Sequence, residues 1–276
     1  MLDIIEKIFH EKIQKANELR RPRVLVNICS HGDEIIGLDV QEKCIDLTIK
    51  KGSLIFNIGN PEALRLGKRF VESDLNRSFP GSENGTYEEQ IAFYMMKYIS
   101  LFDYVVDIHS TVSGIDNCII IEDNSPETNR LISACHNCDT ILLMTATKGS
   151  SIFTACRQED NIIPAVTFEY GNNSIETTNR TYDDLLSVLA EIGVVDQPNN
   201  LSVIKTPSKF ECYATFSKSI DDILEKNIEN FKLVKNGDVV GHTIQGLPIT
   251  APTDFYPVLF GKNSYTTIFG FMAKKI

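Results

Sequence analysis

The sequence predicts an α/β fold: a mixed, largely parallel sheet flanked by helices, followed by a smaller β-rich C-terminal part. Three observations carry that prediction. Short apolar runs alternate with helix-period stretches through residues 1–199. Two of the five histidines, His31 and His109, stand at or just past the ends of such runs, where open α/β sheets place ligand-binding residues. Around Gln197-Pro198-Asn199-Asn200 the texture changes to brief strand-like pieces parted by turn signals such as Asn236-Gly237 and Gly261-Lys262. The reading is therefore a domain over 1–199 and a β-rich one over 200–276.

The elements follow in order. Ile4, Ile5, Ile8, Phe9 and Ile13 fall on one side of a helix over 3–19. Val24–Ile28 is a short apolar run suited to a buried strand, and Ser30-His31-Gly32-Asp33-Glu34 follows directly. A helix is expected over 35–50 and a strand over Ser53–Ile58. An Arg-rich polar loop runs from Asn60 to Ser78, and a helix over 86–101 follows. Tyr104–Ile108 reads as a strand that delivers His109. Cys118–Ile121, Ile141–Met144 and Ile163–Phe168 are further strands, with helices over 125–137 and 178–193. Beyond the change of texture come Val203-Ile204, Phe210–Phe216, a helical stretch near 219–228, Val239-Val240, Pro248-Ile249 and Tyr256–Phe260.

Composition narrows the function classes. Hydrophobic residues at 42% and charged residues at 23% describe a globular chain with a real core. The formal charge of −10 argues against nonspecific binding to nucleic acid or an anionic membrane. No apolar run approaches the roughly 20 residues that span a bilayer. The first residues carry acids early and have no signal-peptide core, so the expected location is the cytoplasm. Seven scattered cysteines, an odd number, read as reduced thiols. Cys135-His136-Asn137-Cys138 has no second Cys-x-x-Cys to complete a structural zinc site, and it continues a helical pattern. The chain has no Gly-x-Gly-x-x-Gly and no Gly-x-Ser-x-Gly.

A metal site is the chemistry the remaining residues suggest. His31 and Glu34 are three apart, which puts both on one face of a turn entering a helix. His109, from a neighbouring strand end, would complete a His-Glu-His set with a position left for water, the pattern of catalytic zinc. Each piece alone is a common surface pair or a strand-end histidine; the joint placement is what carries weight. Glu169, ending the strand before Tyr170-Gly171, is placed to act as a base. Arg69 or Arg77 could grip a carboxylate or face an oxyanion, and Asn76 adds an amide donor.

Four blocks together resemble the aspartoacylase and succinylglutamate desuccinylase family, a branch of the zinc carboxypeptidase-like fold. His31-Gly32-Asp33-Glu34 is similar to the family's His-Gly-x-Glu. Asp74-Leu75-Asn76-Arg77-Ser78-Phe79-Pro80 resembles its Asp-Leu-Asn-Arg-x-Phe loop. Asp107-Ile108-His109-Ser110-Thr111 resembles its Asp-Leu-His-x-Thr segment, and Glu169-Tyr170-Gly171 its Glu-x-Gly. The blocks keep the family's order over about half the chain. Gly237-Asp238-Val239-Val240 and Phe255-Tyr256-Pro257-Val258 add a weaker likeness. The resemblance implies one Zn2+ per chain on His31, Glu34 and His109, with Glu169 as the catalytic base. It implies that Arg69 polarises the scissile carbonyl and that Asn76, Arg77, Arg157 and Tyr265 hold substrate. Asp107 would orient a ligand from behind.

The expected activity is zinc-dependent hydrolysis of an N-acyl amino acid, N-acyl-aspartate or N-acyl-glutamate first, because several cationic donors suit a small acidic substrate. Two rivals stand beside it: a zinc hydrolase of the same fold acting on a peptide or other amide, and a metal-containing binding module without turnover. The size also leaves a homo-oligomer open.

Overall fold

The computed structural model describes residues 2–111, 115, 117–144, 151–158, 161–197, 206–261, 265 and 267–276. Val203-Ile204, Pro198-Asn199-Asn200 and Lys262 lie outside that set. Helix α1 (Leu2–Asn17) buries Ile5, Phe9 and Ala16 but leaves Ile4 and Ile8 exposed. Its buried stripe follows i, i+4 spacing and is narrower than the sequence suggests, because the helix packs chiefly on one neighbouring helix rather than into a groove.

The elements that follow are β1 (Arg23–Ile28), α2 (Ile36–Lys43), β2 (Ser53–Ile58), α3 (Pro61–Leu66), a 3-10 turn at Leu75–Arg77, α4 (Tyr87–Ile99) and β3 (Tyr104–His109). Then come β4 (Cys118–Ile121), α5 (Pro126–Ser133), β5 (Thr140–Met144), α6 (Phe153–Cys156), β6 (Arg157–Gln158), β7 (Asn161–Ile162), β8 (Ala165–Glu169) and α7 (Ile175–Ile192). The C-terminal part adds β9 (Ser208–Ser217), β10 (Ile223–Leu224), β11 (Val239–His242), β12 (Pro248–Thr250), β13 (Tyr256–Val258) and β14 (Ile268–Lys275).

Nine strands form one mixed sheet in the order β13-β14-β9-β5-β4-β8-β3-β1-β2. The half that carries the site, β8-β3-β1-β2, is parallel throughout. β4 runs antiparallel to β8, and β13 and β14 close the other edge as antiparallel strands. β10-β11-β12 make a separate small sheet. Thus β9, β13 and β14 extend the central sheet, and the small sheet sits beyond them.

Strand alternation divides the core into two layers. Val24, Val26, Ile28, Val106, Ile108, Val166 and Phe168 face α2, α5 and α7. Leu25, Val105 and Ala165 face the other way, with α1 and α4. A third cluster, built on Phe216, Phe255, Phe260 and Phe269, anchors the small sheet.

Three differences from the sequence reading are local. The stretch near 219–228 is not helical: Asp222 turns the chain by accepting the Ser219 N–H, and Ile223-Leu224 pairs with β11. Strand pairing there outweighs a weak helical pattern. α3 lies inside the expected loop, and its start and stop signals are plain: Asn60 caps it through the Ala63 N–H, Pro61 opens it, and left-handed Gly67 ends it. β14 was not anticipated as an element, although Phe269–Ala273 is a continuous buried apolar run.

Candidate active site

The site forms where β1, β3 and β8 end side by side. β3 delivers His109 as its last residue, in register with Glu169, the last residue of β8. Past β1, Cys29 takes a left-handed backbone (φ 51°) and turns the chain toward His31. Gly32 must be glycine here: a Cβ would collide with the backbone of Ala63 and Leu64 in α3. Its N–H donates to the Arg69 carbonyl, which ties the His31 turn to the Arg69 loop.

Three side chains converge. His31 Nδ1 lies 2.7 Å from Glu34 Oε1, and His109 Nδ1 lies 2.7 Å from Glu34 Oε2. One ligand atom from each of the three falls within 4.8 Å of the others, and all three residues are buried. The other nitrogen of each ring meets a carboxylate: His31 Nε2 is 3.2 Å from Asp74 Oδ1, and His109 Nε2 is 2.8 Å from Asp107 Oδ2. This arrangement suits a divalent metal. Carboxylates that take the Nε2 hydrogens leave both Nδ1 lone pairs facing Glu34. Arg69 bridges the set, donating to Glu34 Oε1 at 3.1 Å and to Asp74 Oδ2 at 3.2 Å.

The electrostatics are those of a buried, mutually compensated cluster. Burial alone would raise Glu34, but the His31 and His109 charges outweigh it and hold Glu34 far below the usual carboxylate range. Burial opposes charge on His109, yet Asp107 and Glu34 hold it well above its ordinary value. Asp74 is likewise kept low despite burial, by the hydrogen bond and charge of His31 and then by Arg69 and Arg77. Glu169 goes the other way. Part of the residue faces the cavity, yet its carboxyl is deep enough for burial to push it up to about 7, with His109 opposing and Glu34 adding to the rise.

All of these residues except Asp74 line a cavity of about 650 Å³. Asn76 and Arg77 enter it from the 3-10 turn, where Asp74 accepts the Asn76 N–H at 2.9 Å. The Asn76 amide nitrogen lies 3.2 Å from His109 Nε2, and its Oδ1 is buried with no hydrogen-bond partner among the described residues. Tyr265 also lines the cavity, with the Arg77 guanidinium 5.8 Å from its ring centre. Burial pushes the Tyr265 phenol up to about 12, so it stays a neutral hydroxyl. Leu259, Phe271, Met144, Ile152 and Phe153 give the cavity an apolar wall.

Of the residues expected from the sequence, His31, Glu34, Arg69, Asn76, Arg77, His109, Glu169 and Tyr265 share this cavity. Arg157 does not line it. On β6 it lies near two acids, its Nε 3.9 Å from Glu122 and a terminal nitrogen 3.6 Å from Asp123. Cys135, His136 and Cys138 belong to no potential metal cluster among the described residues; the His136 and Asn137 N–H groups donate to Asp184 instead.

Sequence reasoning overlooked the residues that hold the site in shape. Glu88, fully buried on α4, accepts the backbone N–H groups of Val71, Glu72 and Ser73 and an amide hydrogen of Asn60. It thereby pins the loop that carries Arg69 and Asp74. Asn173, just past Glu169, donates to the Asp33 carbonyl and accepts from the Ile35 N–H and Ser110 Oγ. The one signal for Glu88 was an acid beside the Thr86–Glu89 capping box on an otherwise inward helix face.

No described helix is long and apolar enough to cross a membrane. The profile of the succinylglutamate desuccinylase/aspartoacylase catalytic domain matches residues 20–192. A probable aspartoacylase of Nostoc sp. is 22% identical, over 88% of this chain and 92% of its own. A succinylglutamate desuccinylase of Vibrio parahaemolyticus is 23% identical over 86% of this chain and 75% of its own. Among solved structures, a succinylglutamate desuccinylase from Vibrio parahaemolyticus superposes with a TM-score of 0.71 at 21% identity, covering 92% of this chain and 82% of that one. Murine aminoacylase 3 superposes with a TM-score of 0.73 at 18% identity, covering 92% and 95%. The strand ends, the convergent ligands and the matched span agree: the chain belongs to the succinylglutamate desuccinylase/aspartoacylase family.

Proposed function

We propose that this chain is a zinc-dependent deacylase that hydrolyses the amide of an N-acyl amino acid to a carboxylate and a free amino acid. The observation that carries this reading is the meeting of His31, Glu34 and His109 beside Glu169, a carboxyl group pushed up to about 7. His31, Glu34 and His109 would hold the zinc ion, two nitrogens and a carboxylate being a normal catalytic set. Zinc in such a set supplies Lewis acidity, lowering the pKa of water toward about 7 and polarising a carbonyl.

The rest of the chemistry belongs to the chain. Glu169, as a carboxylate, takes a proton from the attacking water and returns it to the departing amine. Its position next to His109 in the strand register brings it to the same strand-end cavity. Arg69 presents its guanidinium to the oxygen that becomes negative, a donor role worth about 3–4 kcal/mol in comparable acyl-transfer sites. Asn76, Arg77 and Tyr265 take the substrate carboxylate; an orphaned Asn76 oxygen and a neutral phenol can also recognise an amide N–H or a carboxyl oxygen. Arg157, with Glu122 and Asp123 within 4 Å, is given no substrate role in this reading. N-acyl-aspartate and N-acyl-glutamate are the first substrates to try.

In this reading residues 1–199 carry the catalytic groups and residues 200–276 close the cavity through Leu259, Tyr265 and Phe271. We place the enzyme in the cytoplasm, in keeping with seven buried cysteines that form no disulfide. The test is amino-acid release from acetyl and succinyl derivatives of aspartate and glutamate, and from aromatic N-acyl amino acids. Release that a chelator stops supports the reading and names the substrate. One zinc per chain with no release from any compound would turn the assignment toward a peptide or other amide, or toward a binding module.

A further inference from the structure

A row of polar side chains crosses the sheet behind the metal site. Asn57 on β2, Asn27 on β1 and Asp107 on β3 are in register. They share the α1 side of the sheet, and each is no more than 2% exposed. Parallel strands buried on both faces normally carry apolar residues at such positions, and unpaired polar groups there are costly. Here they are paired in a single direction. Asn57 Nδ2 donates to Asn27 Oδ1 at 2.7 Å, and Asn27 Nδ2 donates to Asp107 Oδ1 at 2.7 Å and to Ser30 Oγ at 2.8 Å. Asp107 then meets His109 Nε2 through its other oxygen, at 2.8 Å.

The far end of the row is Lys12 on α1. Its Nζ donates to Asn57 Oδ1 at 2.6 Å and lies 4.9 Å and 5.9 Å from the ring centres of Phe9 and Tyr98. An ammonium group can only donate, whereas an amide can turn either end toward a neighbour. With Lys12 in place, the Asn57 oxygen must face it, so the Asn57 nitrogen faces Asn27 and the Asn27 nitrogen faces Asp107. Asp107 then receives a donor on Oδ1 and takes the His109 Nε2 hydrogen on Oδ2. That leaves His109 Nδ1, 2.7 Å from Glu34, as the ring nitrogen available to zinc.

We propose that Lys12 is a positioning residue for the metal site: it sets the donor direction of the Asn57–Asn27–Asp107 row and through it the tautomer and orientation of His109. The proposal rests on the reading of His31, Glu34 and His109 as a zinc site. It places a determinant of that site outside residues 20–192, in the N-terminal helix. Burial draws the Lys12 ammonium down to about 8, so it is largely charged at pH 7.

The sign of one measurement separates this role from simple Coulomb repulsion. Removing a positive charge should by itself tighten binding of a divalent cation. Losing the donor end lets the two amides turn and loosens Asp107, so binding weakens. Zinc affinity is measured on the full chain by competition with a chromophoric chelator at pH 7, with thermal unfolding of the metal-free protein beside it. Lys12→Met, which keeps the stem on Phe9 and Tyr98, should weaken zinc about three- to tenfold, less than the 10–100-fold typical of groups touching a ligand directly. Lys12→Arg, also donor-only, should return affinity to within about twofold of the parent. Asn57→Leu should weaken zinc as Lys12→Met does, and the double variant should be no weaker than either, because both cut one chain.

Unchanged or tighter zinc in Lys12→Met overturns the proposal, as does an Arg variant as weak as the Met variant. If Asn57→Leu does not fold, the Met and Arg pair decides. A parent chain that binds no zinc overturns the zinc-site reading itself, and this inference with it. Normal zinc binding that is indifferent to Lys12 overturns this inference alone.

Discussion

The two histidines of the site have the same chemistry and different supports. His31 leans on Asp74, which sits in a loop, is 20% exposed and is shared with Arg69. His109 leans on Asp107, which sits inside the sheet, is 1% exposed and is tied through Asn27 to the strands beside it. One support joins its histidine to Arg69; the other joins its histidine to the core. The division makes physical sense. Arg69, the oxyanion donor of the proposed reaction, belongs on the loop at the cavity, whereas the orientation of a buried ring is best fixed by a sheet that does not move independently.

The comparison can be tested at four depths. Glu34 touches both sides, so Glu34→Ala should take zinc binding below detection by equilibrium dialysis and abolish turnover with it. Next, the carboxylates should differ. Asp107→Ala should weaken zinc by roughly 10–100-fold. It should also destabilise the metal-free protein by about 1–3 kcal/mol, because a buried Asn27 N–H loses its acceptor. Asp74→Ala should weaken zinc at the low end of that range and slow any turnover through Arg69, with a smaller change in melting temperature. Equal destabilisation by the two variants would erase the distinction.

Glu88→Gln probes the loop side alone. It turns an acceptor of three backbone N–H groups into a partial donor, at a cost of about 1–3 kcal/mol in denaturant unfolding. Zinc affinity should stay within about twofold while kcat falls. A parallel loss of zinc would mean that the loop, and not the sheet, holds the metal ligands.

The smallest effect is a pH dependence in the metal-free protein. Glu169 is raised to about 7 in the fold, so the folded state binds its proton more tightly than the unfolded state does. Its favourable contribution is full below the ordinary glutamate pKa of about 4.3 and is lost as pH rises through about 7. Glu34 and Asp74 are lowered, so theirs is present above the ordinary carboxylate range and lost as pH falls below it. Glu169→Gln should therefore raise the melting temperature at pH 8 and do little at pH 5. No gain at pH 8 would contradict the buried environment assigned to Glu169.

Much of the fold was legible because the strands announce themselves as compact apolar runs. The positions of His31, His109 and Glu169 at strand ends followed from that pattern, and the motifs supplied the rest. The supporting residues were not legible in the same way. Asn27 and Asn57 interrupt apolar runs and look like blemishes until register lines them up with Asp107. Glu88 reads as one more acid at the start of a helix, and only the folded loop shows the N–H groups aimed at it. Nor could a sequence position show that Arg157 has Glu122 and Asp123 within 4 Å. Local pattern found residues that meet in the cavity; long-range contacts were needed to find the groups that hold them.

The most direct test of the account compares the parent chain with Glu169→Gln, both loaded with zinc and assayed for amino-acid release on the same N-acyl amino acid panel. The account predicts one zinc per chain in each, release by the parent, and turnover nearly abolished in the variant. Comparable release by the two proteins at equal zinc content would contradict it, because the base assigned here would then have no part in the reaction.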